Sequence, residues 1–245
     1  MTEPITERQP NLLFEWLVEH KERRVVLLAG YPRSGAALVR TVLVHCFGQK
    51  TSTIYNERDM PGYEGAMQLV HFPMTAPELT TLLDRQGMLT VKTHQAPCVG
   101  KPLPTIMIVR DGRRTLESLR AFYHDRNEIE VSVDAMIAGD HPWGDWSQWT
   151  RAWAMNSPSD TLWLRYEDIM ADVPGTVALI AGRFGLTPIG YSIPTFEETR
   201  ASVPGGDVVR KADVTSNGGL TPAQEEAFWR RHGGTMSMLG YQRRV

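Results

Sequence analysis

The run Val25-Val26-Leu27-Leu28-Ala29 stops at Gly30, and a second glycine follows at Gly35. A short apolar run without polar alternation predicts a strand buried on both faces, as inside a parallel sheet. Beyond the glycines, Ala36 to Phe47 is apolar and of helix length. Strand, tight loop and helix follow one another within a few residues. Such a unit belongs to a sheet with helices on its faces.

The rest of the chain repeats the alternation. Met88 to Val91 with Lys92 at its end, Thr105 to Val109 with Arg110 at its end, and Thr161 to Arg165 predict further strands. Helices are expected over 11–22, from the capping box Thr75-Ala76-Pro77-Glu78 to about Leu83, and from Asp111-Gly112 to about His124. Others are expected from Trp146 to Asn156, over 174–184 and over 195–202. Residues 48–75 show no clear period, 125–145 read as loop with one short helix, and 204–220 read as a long glycine-rich loop. Thr221-Pro222-Ala223-Gln224 opens a final helix, with proline at its first position. The expectation is an α/β fold: a single domain over 1–245, core at about 24–241, with a central parallel sheet flanked by helices. No repeat or linker divides it.

Composition narrows the function classes. Hydrophobic residues make up 42% of the 245, enough for a core without staples. A net charge of −2 offers no field for a polyanion, so nucleic acid is not the expected partner. Cys46 and Cys98 have neither metal nor pairing spacing, which reads as reduced thiols in a cytoplasmic protein. Glu3, Glu7 and Pro10 stand where a signal peptide needs an apolar run, and Val25–Ala29 is far short of the ~20 residues of a membrane helix.

The loop Gly30-Tyr31-Pro32-Arg33-Ser34-Gly35 sits where an open parallel sheet binds ligands. Its glycines permit a tight turn with inward N–H groups, and the next helix adds its positive end, so a phosphate-bearing donor is expected there. The glycine spacing starts like a nucleotide P-loop but then fails. Ala36 and Ala37 replace the Lys and the Ser/Thr, removing the γ-phosphate cation and the Mg²⁺ ligand. A P-loop kinase is therefore disfavoured, and no metal is expected. The cation lies inside the loop instead, at Arg33. A glycine turn with a solvated arginine is the plain alternative.

Further segments carry a resemblance. Tyr31-Pro32-Arg33-Ser34-Gly35 resembles the 5′-phosphosulfate loop of the cytosolic-type sulfotransferases, Tyr-Pro-Lys-Ser-Gly-Thr-Thr-Trp in its usual form. Lys92-Thr93-His94 resembles the family's Lys-Thr-His, and Val109-Arg110-Asp111 with Ser118 its 3′-phosphate segment. Tyr166-Glu167-Asp168 matches its Tyr-Glu-Asp, and Arg210-Lys211 resembles its Arg-Lys-Gly. Gly144-Asp145-Trp146 and Trp153 match a stretch of similar shape between them. The segments occur in family order.

The resemblance implies transfer of a sulfuryl group from 3′-phosphoadenosine 5′-phosphosulfate (PAPS), as co-substrate, to an acceptor hydroxyl or amine. It makes His94 the base, Lys92 the cation beside the moving group and Arg33 the partner of the leaving phosphate. An unperturbed imidazole, with a pKa of ~6.5, suits general base work. Positions 92 and 94 share one face of a strand. Ser34, Gly35, Ala36 and Ala37 would line the 5′-phosphate. Arg110, Ser118, Arg210 and Lys211 would hold the 3′-phosphate, and Tyr166 would meet the adenine. Ala36, Ala37, Leu38 and Ala212 depart from the family pattern, all at the donor site. A non-catalytic PAPS-binding module is the remaining alternative.

Segments 55–74, 122–146 and 195–209 are the candidate acceptor walls. Tyr55, Phe72, Phe122, Tyr123, Trp143 and Trp146 suggest a planar or apolar small molecule, with core packing as the alternative reading of each. Thr221 and Glu226 fit the family's dimer motif but Asn217 and Pro222 do not, so the oligomeric state stays open.

Overall fold

In the computed structural model the leading unit is β1 (Val25–Ala29), the glycine loop and α1 (Ala36–Phe47). The structure describes residues 24–53, 69–70, 76–97, 103–127, 129–195, 197–198 and 219–243. The expected helix over 11–22, Thr75, Cys98, most of 195–202 and most of the glycine-rich loop lie outside them.

The chain continues through β2 (Thr51–Thr53), β3 (Leu69–Val70), α2 (Ala76–Gln86), β4 (Leu89–Thr93) and β5 (Thr105–Val109). Next come α3 (Gly112–Asn127), α4 (Val133–Ala138), α5 (Trp146–Asn156) and β6 (Leu162–Arg165). Then follow α6 (Tyr166–Ala171), α7 (Val173–Phe184) and α8 (Pro222–Met238). The strands form one sheet in the order β3-β2-β4-β1-β5-β6, and every pairing is parallel. The expected α/β fold with a parallel sheet is therefore present.

Two strands were not expected. β2 is Thr-Ser-Thr, which has no hydrophobic signal, yet all its residues are buried. Its place comes from the ladder with β4, where Thr51 to Thr53 pair with Thr90 to Lys92. β3 is only two residues long. The short helix α6, also unexpected, starts at the residue after β6.

Strand periodicity divides β1 between two cores. Val25, Leu27 and Ala29 pack with Leu83, Val91, Met107 and Trp153. Val26 and Leu28 pack with Val39 and Leu43 of α1 and Val177 and Ile180 of α7. A third cluster, around Tyr31, Leu119, Tyr123, Trp146 and Phe228, ties α3, α5 and α8 together beyond the carboxyl ends of the strands. Both halves of the Thr221–Gln224 capping box form. No helix among the described residues is long and apolar enough to cross a membrane.

Against Trp146 and Phe228 of the third cluster packs His232, which is 1% exposed. Its Nε2–H donates to the Ile137 carbonyl at 2.9 Å, and its Nδ1 accepts from the Ser147 hydroxyl at 2.8 Å. Burial holds its pKa below the usual histidine value. The unfolded ring protonates near ~6.5 while the folded ring resists, so the stabilisation is complete above ~6.5 and is lost as pH falls towards the depressed value. Scanning calorimetry should show Tm falling from pH 7 to 5, and falling less in His232→Asn. Equal slopes would contradict this.

Candidate functional site

The order of the sheet sets the site. β1 is central, the chain runs to its left through β2 and β3, and β5 and β6 lie to its right. Ligands in such sheets bind beyond the carboxyl ends where the order reverses. The glycine loop leaves β1 at that point, between the end of β4, where Lys92 is followed by His94 just beyond the strand, and the end of β5, which Arg110 directly follows.

Three features hold the loop in shape. The Ser34 N–H donates to the Tyr31 carbonyl at 3.0 Å, closing a turn with Pro32 at its second position. Arg33 has φ 69° and is the one non-glycine residue at positive φ among the described residues. Gly35 has φ 112°, and a Cβ there would lie 2.5 Å from Tyr166 Cδ2. At Gly30 a Cβ would lie 2.6 Å from Ile108 Cγ2. The chain thus approaches β5 and α6 more closely than any side chain permits. Helix α1 opens at Ala36 with no side-chain cap and no acidic residue in its first turn, so its positive end faces the loop undiminished. Ser34 and Ala36 are buried and Ala37 is exposed.

The cations converge on this loop. Arg33 Nε donates to Ser118 Oγ at 3.2 Å, and its guanidinium lies 5.3 Å from the Phe122 ring. Arg110 reaches the Arg33 carbonyl at 3.5 Å and stacks 4.5 Å above the Tyr166 ring. Tyr166 in turn packs under Gly35. Arg33, Gly35, Arg110, Ser118 and Tyr166, drawn from four separate elements and loops, therefore make one continuous cluster. Arg210 and Lys211 lie outside the described residues.

Behind the cluster, Glu167 fastens the turn after β5. Its carboxylate accepts the Asp111 N–H at 3.1 Å and the Tyr241 hydroxyl at 2.6 Å. Asp111 also holds Arg113 through both its oxygens, at 3.0 and 2.6 Å, and Arg113 reaches Glu225 at 2.7 Å. Arg110 is thereby set by a network of which the sequence motifs reported Asp111 and Glu167 but not Arg113, Glu225 or Tyr241.

On the other side of the loop, Lys92 pairs in register with Leu28 and Thr53, on the α1 face of the sheet. His94 follows β4 directly. Its Nδ1 lies 2.6 Å from the Gly30 carbonyl. A carbonyl only accepts, so Nδ1 carries the hydrogen and the lone pair of the neutral ring is on Nε2. Two indoles fix the exit of this strand: Trp149 donates to the His94 carbonyl at 2.9 Å and Trp153 to the Gln95 carbonyl at 3.0 Å. Trp143 stands edge-on to the His94 ring, centroids 5.7 Å apart.

The candidate acceptor aromatics divide. Trp146 is 2% exposed and packs on Phe228 and His232, so it belongs to the core. Tyr123 is equally buried. Phe122 and Trp143 are half-buried and adjoin Arg33 and His94. Tyr55 and Phe72 lie outside the described residues.

Comparison with known proteins gives a consistent result. The sulfotransferase domain family matches residues 23–188. The mouse sulfotransferase SULT7A1, solved in complex with PAP, superposes with a TM-score of 0.60 at 16% identity, covering 90% of each chain. Retinol dehydratase, solved with retinol and PAP, superposes with a TM-score of 0.53 at 16% identity, covering 91% of this chain and 83% of its own. No sequence among the curated proteins matches.

Proposed function

The chain belongs to the sulfotransferase domain family, and we propose that it moves a sulfuryl group from PAPS to a hydroxyl or amine of a small-molecule acceptor. One observation carries this reading. The loop that holds the Arg33–Ser118–Arg110 cluster also offers, through Gly30, the carbonyl that orients His94. Donor cradle and candidate base thus share one loop. The PAP bound in the two neighbouring structures supports the donor half.

The fit to the donor is chemical as well as spatial. Backbone N–H groups at the start of α1 and the fork of Arg33 suit the 5′-phosphate. Arg110 and Ser118 suit the 3′-phosphate. The half-buried Tyr166 ring offers a face for adenine, although Arg110 already covers one side of it. In the transfer step His94 Nε2 takes the acceptor's proton, the acceptor oxygen bonds to sulfur, and the bond from sulfur to the 5′-phosphate oxygen breaks. Lys92 offsets charge on the moving group, and Arg33 offsets the charge that collects on the leaving phosphate. Arg33 replaces the compact lysine of the family pattern. Its guanidinium keeps its protons, so it acts by charge and fork geometry. Phe122 and Trp143 favour an apolar or aromatic acceptor, in keeping with retinol in one neighbour.

Titration calorimetry with PAP, paired with a turnover assay over an acceptor panel, tests the proposal. Heat on PAP addition and sulfated product are expected. No heat would overturn the donor assignment, and heat without product on any acceptor would favour a binding module. Arg110→Ala should weaken PAP roughly 10- to 150-fold, the value of one hydrogen bond to a charged group. Unchanged affinity would remove Arg110 from the donor site.

A further inference from the structure

The sulfotransfer reading leaves His141 without a task, and no sequence motif marked it. It lies in the turn His141-Pro142-Trp143-Gly144, closed by the Gly144 N–H on the His141 carbonyl at 2.9 Å, with Gly144 at φ 67°. Its two ring nitrogens face two tyrosines. Nε2 is 3.3 Å from the Tyr31 hydroxyl, and Nδ1 is 3.2 Å from the Tyr123 hydroxyl.

The direction of each bond follows from one fixed point. The Tyr31 hydroxyl also lies 2.6 Å from the Gly144 carbonyl, which only accepts, so Tyr31 spends its proton there. The Tyr31 oxygen then accepts from His141 Nε2–H. In the neutral ring Nδ1 must accept, and Tyr123 donates to it. The chain of bonds leaves the turn at His141 and returns to it, through Tyr31, at Gly144.

This closed circuit has two consequences. It ties the turn to Tyr31, the residue next to the Gly30 carbonyl that orients His94. It also holds Trp143 where its indole meets the His94 ring. Trp149 braces the same region: its ring is edge-on to Tyr31 at 5.8 Å and its N–H binds the His94 carbonyl.

We propose that neutral His141, bonded between Tyr31 and Tyr123, is a positioning residue that holds the Trp143 turn as the acceptor-side wall beside His94. This rests on the sulfotransfer reading for the word acceptor, but not for the geometry. Protonation places a hydrogen on Nδ1 as well, facing the Tyr123 donor, and breaks that bond. Burial disfavours that protonation, while Asp140 and Asp145 favour it. Burial also pushes the Tyr31 and Tyr123 hydroxyls up, so both stay protonated. Of the other charged groups nearby, Arg231 is bonded to Asp145 at 2.8 Å, and His232 and His94 flank the region across Asp145 and Trp143.

The test uses the full chain and two readouts. The first is the Trp143 fluorescence of the ligand-free protein, obtained by subtracting the signal of Trp143→Phe, followed from pH 8 to 5. In a His94→Gln background, which removes the other imidazole against Trp143, the signal should titrate with a midpoint below the ordinary histidine value, and adding His141→Gln, which cannot titrate, should abolish the transition. The second is kinetic. His141→Phe should raise acceptor KM roughly 5- to 150-fold, the value of two neutral hydrogen bonds, with PAP affinity unchanged. His141→Gln, able to donate and accept, should recover most of the loss at pH 8. A pH-independent Trp143 signal, or a His141→Phe enzyme with normal acceptor KM, would overturn the proposal. Titrating fluorescence without turnover on any acceptor would instead count against the sulfotransfer reading and leave the positioning circuit standing. Calorimetric melting of His141→Gln checks folding, so that a collapsed His141→Phe does not decide the matter.

Discussion

His94→Ala is expected to lower kcat by roughly 10²- to 10⁴-fold, the usual contribution of a positioned general base, while PAP still binds. The expectation comes from one bond. His94 Nδ1 lies 2.6 Å from the Gly30 carbonyl, which assigns the hydrogen to Nδ1 and leaves the basic lone pair on Nε2. The same carbonyl belongs to the first residue of the glycine loop, so in the proposed reaction the base is placed relative to the donor by a backbone atom. Removing the ring deletes the proton acceptor without touching the Arg33–Ser118–Arg110 cluster. Single-turnover rates with saturating donor report the chemical step, and calorimetry with PAP reports the cradle. An unchanged single-turnover rate would refute the base assignment. A loss of rate matched by a loss of PAP affinity would show that His94 acts by supporting the loop instead.

Gly35→Ala should damage fold and donor binding together. An alanine at φ 112° bears backbone strain of ~1–3 kcal/mol. Its Cβ would also stand 2.5 and 3.3 Å from two carbons of the Tyr166 ring. That ring cannot yield cheaply, because Arg110 lies 4.5 Å above it and the neighbouring Glu167 is bonded to both Asp111 and Tyr241. Moving Tyr166 therefore moves Arg110. Tm should fall by several degrees, at ~2–4 °C per kcal/mol for a chain of this size, and PAP affinity should drop by at least the ~10-fold of one lost charged hydrogen bond. Gly87→Ala is the control. Gly87 has φ 77°, yet nothing lies within 4 Å of a Cβ built there, so it carries strain without collision. Equal Tm losses in the two variants would mean that Tyr166 does not confine the loop.

These two sites show where sequence reading stops. The glycines at 30 and 35 were legible as loop-formers from spacing alone. That one abuts Ile108 and the other Tyr166 was not, since those partners come from β5 and α6. The α8 cap was legible because its signal is local: a capping box with proline at the first helical position. Strand β2 was illegible because its buried residues are polar, and only the ladder to β4 recruits them. Trp146 stayed open between pocket wall and core because burial cannot be seen in one residue type, and packing on Phe228 places it in the core.

The amino-acid sequence alone determined the alternation of strand and helix, the tight glycine loop after the first strand, and the motifs that mark its family. Those properties depend on side-chain period, on glycine's freedom and on charge, all of which act over a few residues. The tertiary structure alone decided which atoms meet. The His94–Gly30 bond spans 64 positions, Arg33–Ser118 spans 85 and Tyr31–His141 spans 110. Contacts of that range exist only after the strands have been ordered with β1 at the centre, because burying both faces of the sheet, not any local preference, brings those chain segments to one edge.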